Sequence, residues 1–128
     1  MSRRIRVGVA GVGHMGKEHA RIYSELAEAE LVGVHDSNPD TARKIAAKCK
    51  TRAFSTLDEM VGAVEAASIV TPTTTHLAIA EPFLRKGKHV LVEKPIAMDT
   101  AEARKLVELA DQHGAKLAVG HVERFNPV

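Results

Sequence analysis

The most informative stretch of the chain is VAGVGHMGKEH, residues 9–19. Its glycines, Gly11, Gly13 and Gly16, have the G-x-G-x-x-G spacing of a loop that holds the pyrophosphate of a dinucleotide. Read from the same first glycine, the stretch also runs Gly11-x-x-x-x-Gly16-Lys17, which is nearly the phosphate loop of a nucleoside triphosphatase. The two interpretations predict different ligands, so the surrounding sequence has to decide between them.

Short apolar runs alternate with helical patterns on both sides of this loop. We predict strands at 5–10, 31–34, 52–54, 66–71, 89–92 and 116–120, and helices at 14–27, 38–50, within 55–60, at 75–84 and at 101–113. The strands are apolar throughout, as expected when helices cover both faces of a parallel sheet. The sequence therefore predicts an α/β fold with a doubly wound parallel sheet, the Rossmann architecture, over residues 1–120.

An acidic residue supports the dinucleotide interpretation. Asp36 follows Gly16 by twenty residues, at the end of the second predicted strand, where a Rossmann unit places its ribose-binding carboxylate. A triphosphatase loop needs a serine or threonine after its lysine to bind magnesium, and this chain has Glu18, whose carboxylate would repel phosphates. We therefore predict a pyrophosphate site. Gly11 would allow the tight turn, Gly13 the approach of the pyrophosphate, and Gly16 close helix–strand packing.

Asp36 also bears on which dinucleotide is bound. A carboxylate accepts hydrogen bonds from both ribose hydroxyls and repels a 2′-phosphate, and Ser37 stands where an arginine would indicate the phosphorylated cofactor. Arg43, downstream, could weaken this preference. The sequence favours NAD and leaves NADP open.

The bulk properties narrow the other classes of partner. The 128 residues suffice for one domain, and 18 basic against 16 acidic residues leave a net charge of +2 without a basic stripe. The single cysteine, Cys49, fits a reducing compartment. We expect its thiol to be partly buried at the end of a helix. His14 and His19 are not at metal-ligand spacing. We expect a cytoplasmic protein with no metal, no nucleic acid and no membrane partner.

Five segments, taken in order, resemble the amino-terminal half of the Gfo/Idh/MocA oxidoreductase family. They are VGVAGVGHMGKEHA (7–20), HDSNP (35–39), SIVTPTTTH (68–76), HVLVEKPIA (89–97) and VGHVERFNP (119–127). The resemblance runs from about Arg6 to the last residue, and its most specific piece is EKP after an apolar strand. The final segment is most similar to members that oxidise nucleotide-linked amino sugars, so the resemblance implies a small-molecule sugar substrate.

The resemblance implies a role for each matching residue. Lys94 would be catalytic, with its amine directed at the reacting carbon, and Glu93 would bind the nicotinamide ribose. The bond between Lys94 and Pro95 is expected to be cis. His121, Arg124 and Asn126 would lie where the chain leaves the domain, and His121 would either reach the floor of the active site or be a hinge residue. The residues that would contact the cofactor are Gly11, Val12, Gly13, His14, Met15, Gly16, Asp36, Ser37, Thr71, Pro72, Thr74, His76, Glu93, Lys94 and Pro95.

The family also has a second, substrate-binding domain, and this chain ends at Val128, where that domain would begin. We therefore expect residues 121–128 to start the connection to a substrate domain absent from this chain. On this expectation the chain binds NAD(H) without turning over sugar, and exposed surface promotes a homo-oligomer. The alternative is a non-catalytic NAD-binding sensor or regulatory module, which would need the glycines and Asp36 but not Lys94.

Overall fold

The computed structural model describes residues 3–120, in which six parallel strands form one sheet of order β3-β2-β1-β4-β5-β6. This is the order of a doubly wound dinucleotide-binding sheet, as predicted. The strands are β1 (Ile5–Ala10), β2 (Ala29–His35), β3 (Arg52–Ala53), β4 (Ala66–Ile69), β5 (His89–Glu93) and β6 (Leu117–Gly120). The helices are α1 (Gly16–Glu25), α2 (Pro39–Lys48), α3 (Leu57–Ala63), α4 (His76–Arg85) and α5 (Thr100–Gln112), with a 3₁₀ turn at Thr73–Thr75.

Three helices begin at side-chain caps. The Asn38 side chain accepts from the N–H groups of Asp40 and Thr41 before α2. Thr56 and Glu59 form a reciprocal capping box at the start of α3, and Asp99 caps α5 by accepting from a backbone N–H in the first turn. Each cap satisfies N–H groups that have no partner inside the helix, which fixes where the helix begins.

The first helix starts later than its apolar pattern predicts. The spacing predicts a helix from residue 14, whereas α1 begins at Gly16 because the chain at 13–15 is still turning out of β1. Likewise β4 ends at Ile69 instead of Thr71. The N–H of Val70 still bonds to the Ala10 carbonyl, but Pro72 has no N–H with which to extend a ladder.

Hydrophobic side chains are buried on both faces of the sheet. One cluster lies under α3, α4 and α5 and includes the fully buried Met60, Phe83 and Leu106. A second cluster lies under α1 and α2 and includes Val9 and Ile45. The two clusters explain why the central strands are mainly apolar, because helices cover both faces of the sheet there; β6, at the edge of the sheet, is more exposed.

The topology brings the predicted motifs to one edge of the sheet. Strands β1 and β4 are neighbours, with Ala10 paired to Ile69, and β4 pairs Ile69 with Val92 of β5. The chain therefore leaves these strands at adjacent points. Since α1 and α4 depart to opposite faces, a crevice opens between β1 and β4, which is where doubly wound sheets bind ligands.

Cys49 caps the carboxyl end of α2 and is half-buried. Burial is the largest cause of a raised pKa for this thiol, and it outweighs the nearby cations that would lower it. Cys49 is therefore a partly buried thiol at a helix end, as expected. Across residues 3–120, no helix combines the length and apolar character that a membrane span requires.

A carboxylate network ties the amino terminus to the loop before β4. The Arg3 guanidinium donates to Glu65 Oε2 at 2.6 Å, and the Arg6 backbone N–H donates to the same oxygen at 3.1 Å. Two hydrogen bonds lower the pKa of the Glu65 carboxyl from 4.5 to about 2. The bond from Arg3 has the larger effect, and the bond from the Arg6 backbone has the next largest. A lowered pKa in the folded state stabilises the fold above pH 4.5, and this contribution is lost as the pH falls towards 2.

We expect the Glu65→Gln variant to be less sensitive to acid than the unsubstituted chain. As the pH falls from about 5 to about 2, the urea midpoint of the unsubstituted chain should fall further, because only that chain must protonate the hydrogen-bonded Glu65 carboxylate. Urea unfolding followed by circular dichroism at several pH values measures this difference. Glu108→Gln, which removes an exposed carboxylate from α5, is the matched control and should behave like the unsubstituted chain. Parallel pH profiles for the chain and Glu65→Gln would contradict the role of this network.

Candidate functional site

The loop after β1 takes a shape that requires glycine at its first position. Gly11 has φ = +90°, and a Cβ there would collide with the carbonyl oxygen of Val70 and come within 2.8 Å of Thr71 Cγ2. The Gly11 N–H donates to the His35 carbonyl at 2.7 Å, which holds the turn against β2. Both the backbone conformation and the space therefore exclude a side chain at Gly11.

The other two glycines of the loop meet different surroundings. A Cβ on Gly16 would collide with the Gly11 carbonyl oxygen, so the close contact between α1 and the loop depends on its absence. A Cβ on Gly13 would meet nothing within 4 Å. The fold itself thus requires glycine at positions 11 and 16, whereas Gly13 keeps open a surface that the fold does not use.

That open surface carries backbone donors. Within residues 3–120, the N–H groups of Gly13, His14 and Met15 have no hydrogen-bond partner, although they lie just before the first turn of α1. The amino end of a helix carries partial positive charge, and unpaired amides there bind anions. The donors and the exposed Gly13 together fit the diphosphate of a dinucleotide.

Asp36 lies beside this loop and holds it. Its Oδ1 accepts from the Val12 N–H at 3.0 Å, and its Oδ2 accepts from the Asn38 N–H at 3.0 Å. The sequence predicts only a ribose-binding role for Asp36. The structure adds a second one, because the same carboxylate fixes the glycine loop to the end of β2. Each oxygen keeps acceptor capacity, since a carboxylate has about four lone-pair positions.

A cavity of about 370 Å³ opens next to Asp36, on the β2 side of the loop. Its polar rim contains Asp36 and Ser37, while apolar side chains that the sequence does not single out form most of its wall. The complete lining is Ala10, Gly11, Gly13, His35, Asp36, Ser37, Leu57, Val70, Thr71, Pro72, Thr75 and Ile79. A polar edge on an apolar wall suits a ribose with an attached flat base.

A second cavity of about 390 Å³ lies on the other side of the same loop. It is more polar and is lined by Gly13, His14, Met15, Gly16, Val70, Thr71, Glu93 and Lys94. Gly13, Val70 and Thr71 line both cavities. The two cavities therefore meet at the crevice between β1 and β4, and an elongated ligand could extend from Asp36 to Glu93 across the loop amides.

The segment after β4 is held by its own side chains. The Thr75 hydroxyl donates to the Pro72 carbonyl oxygen at 2.6 Å, and its oxygen lies 2.7 Å from the Thr71 hydroxyl oxygen. His76 is 1% exposed, and its ring nitrogens lie 3.0 Å from the carbonyl oxygens of Thr71 and Ile96. The resemblance implies that His76 lines the nicotinamide side. The structure instead places its ring behind that surface, where it supports the loop.

The predicted residues at the end of β5 lie together. Glu93 is the last residue of the strand, and the exposed Lys94 follows it into the second cavity. The bond from Lys94 to Pro95 is cis, which confirms the expectation. Pro95 and Thr74 are exposed and lie outside the linings of the two cavities.

His19 is the residue that sequence reasoning missed. Its ring is buried on α1, and its Nε2 lies 2.7 Å from Glu93 Oε2. The sequence alone raises His19 only as a possible metal ligand, beside His14. The signal that could have found it is its position one turn after Gly16, on the side of α1 that faces the sheet.

Two other expectations can be placed. Arg43 is exposed on α2 and is ion-paired with Asp40, one turn earlier, so a partner already engages its guanidinium. His121, Arg124 and Asn126 lie outside the described residues. In the part of the chain that the structure describes, no three His, Cys, Asp or Glu side chains are grouped so that they could hold a metal ion.

Comparison with known proteins identifies relatives with the same fold. The family described as an oxidoreductase family with an NAD-binding Rossmann fold matches residues 5–121. UDP-N-acetylglucosamine 3-dehydrogenase from Acidithiobacillus ferrooxidans is 44% identical over 123 residues, which are 96% of this chain and 39% of that enzyme. Its solved structure matches with a TM-score of 0.91, covering 98% of this chain and 41% of the other.

Two further relatives extend the comparison. Inositol 2-dehydrogenase from Rhizobium meliloti is 38% identical over 125 residues, which are 96% of this chain and 38% of that enzyme. The structure of GenD2 from gentamicin A biosynthesis, solved in complex with NAD, is 34% identical with a TM-score of 0.89, covering 94% of this chain and 35% of the other. This chain thus spans less than half the length of each relative.

The family match confirms the expected cofactor class, because the family is defined by its NAD-binding Rossmann fold and the match includes the glycine loop, Asp36 and the Glu93–Lys94–Pro95 segment. The strand order and the crevice between β1 and β4 agree with it. The chain belongs to the Gfo/Idh/MocA oxidoreductase family and forms its NAD-binding Rossmann domain.

Proposed function

We propose that this chain binds NAD(H) as the cofactor domain of an enzyme that transfers hydride between a sugar hydroxyl carbon and nicotinamide. One observation carries the proposal: a glycine loop with unpaired amides separates a cavity bounded by Asp36 from a cavity bounded by Glu93 and Lys94. On this proposal residues 1–120 are the dinucleotide-binding domain. Residues 121–128 begin the connection to a substrate-binding domain.

The first cavity would hold the adenosine half of the cofactor. Asp36 would accept hydrogen bonds from the ribose hydroxyls while it keeps its bonds to the loop. A 2′-phosphate would meet the negative charge of this carboxylate, and Arg43 is already paired with Asp40. This electrostatic repulsion supports NAD over NADP.

The second cavity would hold the nicotinamide half and the reacting carbon of the sugar. NAD supplies the hydride acceptor when it is bound. Glu93 would accept from the nicotinamide ribose, and the Lys94 ammonium would lie near the sugar hydroxyl. A cation there stabilises the alkoxide that develops as the hydride leaves, or relays the hydroxyl proton as its amine. Thr71 would bound the space between the two halves.

The substrate class comes from the relatives. UDP-N-acetylglucosamine 3-dehydrogenase and inositol 2-dehydrogenase both act on cyclic polyhydroxy compounds, and the first covers 96% of this chain at 44% identity. We therefore propose a nucleotide-linked sugar as substrate. A non-catalytic NAD sensor remains the competing function, and it differs in having no use for an ammonium beside the nicotinamide.

The loop glycines allow folding and binding to be tested separately. Gly13→Ala should leave the free energy of unfolding within about 0.5 kcal/mol, because the added methyl meets no protein atom. It should lower the affinity for NADH by about tenfold or more, because that methyl occupies the surface where the diphosphate would lie. NADH fluorescence titration and urea unfolding measure the two effects.

Gly11→Ala is the matched control for this pair. Its φ and the Val70 carbonyl oppose any side chain, so we expect a loss of about 1–3 kcal/mol in folding free energy before any ligand is added. NADH binding by Gly13→Ala at the level of the unsubstituted chain would place the diphosphate elsewhere.

The charge of Asp36 should control the choice between the two nicotinamide cofactors. Asp36→Asn keeps a carbonyl oxygen to accept the Val12 N–H but removes the negative charge. We expect the ratio of the NADPH to the NADH dissociation constant to fall by about tenfold, because repulsion of the 2′-phosphate is lost. Competitive titration of both cofactors measures the ratio. A ratio that does not change would show that this carboxylate does not face the adenosine ribose.

Lys94 separates the enzyme from the sensor. In the protein that carries a substrate-binding domain, Lys94→Met should reduce oxidation of the nucleotide sugar by about a hundredfold or more, because the charge at the hydroxyl is lost. The affinity for NADH should stay within about threefold, since the amine is not needed to hold the cofactor. The 128-residue chain alone should bind NADH without turnover. Full turnover by the Lys94 variant would exclude a catalytic role for Lys94, whereas NADH binding without turnover by the unsubstituted protein that carries a substrate-binding domain would favour the sensor.

A further inference from the structure

A buried chain of polar side chains leads from α1 to the second cavity. Tyr23 Oη lies 2.7 Å from Ser68 Oγ, Ser68 Oγ lies 3.2 Å from His19 Nδ1, and His19 Nε2 lies 2.7 Å from Glu93 Oε2. Ser68 is fully buried and His19 is 8% exposed. These groups join helix α1 to the neighbouring strands β4 and β5.

The direction of these hydrogen bonds follows from the chemistry of Glu93. An ionised carboxylate only accepts, so His19 Nε2 carries a hydrogen and donates it to Glu93. In the neutral ring Nδ1 then accepts from the Ser68 hydroxyl, and the Ser68 oxygen accepts from the Tyr23 hydroxyl. Every hydrogen in the chain has one acceptor. The arrangement satisfies buried polar groups that would otherwise destabilise the fold.

The same arrangement leaves part of Glu93 available to a ligand. His19 engages Oε2, whereas Oε1 has no hydrogen-bond partner among residues 3–120. Glu93 lines the second cavity next to Lys94. His19 lies on α1, three residues after Gly16, the last glycine of the loop. One imidazole therefore connects the helix that carries the amide donors with the carboxylate at the far side of the same cavity.

We propose that His19 is a positioning residue, which holds Glu93 so that its second oxygen faces the nicotinamide half of the cofactor. This role rests on the proposed function. It differs from a purely structural tie between α1 and β5 in one measurable respect. A positioning role affects ligands that reach Glu93 and spares ligands that occupy only the Asp36 cavity and the loop, whereas a structural tie affects both.

The experiment compares NADH with ADP, which lacks the nicotinamide riboside, in calorimetric titrations of the 128-residue chain. The pair of variants is His19→Asn, whose amide can replace only Nδ1, and His19→Gln, whose amide can reach the position of Nε2. We expect His19→Asn to lower the affinity for NADH by about tenfold and the affinity for ADP by less than about twofold. His19→Gln should keep NADH affinity within about threefold of the unsubstituted chain. Equal losses for the two ligands, or no loss for NADH, would overturn the positioning role.

A double-mutant cycle with Glu93→Ala tests whether His19 acts through Glu93. If it does, adding His19→Asn to the Glu93 variant causes no further loss of NADH affinity. Additive losses would count against the proposal. Failure of the unsubstituted chain to bind NADH would overturn the proposed function and this role with it, whereas tight binding with additive losses removes only the role of His19.

A measurement on the unsubstituted chain covers the case in which a variant does not fold. Ring ¹H–¹⁵N correlation spectra report which nitrogen of His19 carries the hydrogen. We expect the hydrogen on Nε2 and a shift of that signal on addition of NADH that ADP does not produce. Identical responses to both ligands, or an Nε2 without a hydrogen, would contradict the assignment.

Discussion

The hydrogen bond from the Val12 N–H to the Asp36 carboxylate joins the glycine loop to the end of β2, the two parts of the site that depend most on each other. It sets the position of the glycine loop relative to the end of β2. It also places a negative charge beside the amides that attract an anion. Because Asn38 donates to the other oxygen, the carboxylate is held from both sides and its remaining lone pairs have a defined direction.

The local rules of helix and strand formation were enough to predict most of the fold. The caps at Asn38, Thr56 and Asp99 and the apolar runs of the strands each depend on neighbours within a few residues, so the sequence displays them directly. The glycine spacing and Asp36 indicated, in the same way, a glycine loop beside a carboxylate at the end of β2, and the structure has the two in contact. What failed locally was the start of α1 and the end of β4, where the sharp turns at the site override the apolar pattern.

The histidines show why the rest could not be predicted. His76 was expected in the site and is buried behind it, bonded to carbonyls of Thr71 and Ile96. His19 was not assigned to the site and is bonded to Glu93, which lies 74 residues away in the chain. Both outcomes depend on contacts between distant elements. A family motif records which residue types recur, but it does not say whether a side chain touches the ligand or supports a neighbour that does.

Gly13, Val70 and Thr71 form a wall that belongs to both cavities. A molecule with two arms joined across this wall loses translational and rotational entropy once on binding, whereas two separate fragments lose it twice. The first arm raises the effective concentration of the second, so the affinity of the joined molecule can exceed that of either fragment by orders of magnitude. The two cavities together therefore favour one ligand that fills both, and selectivity depends on the length of the bridge between its two arms.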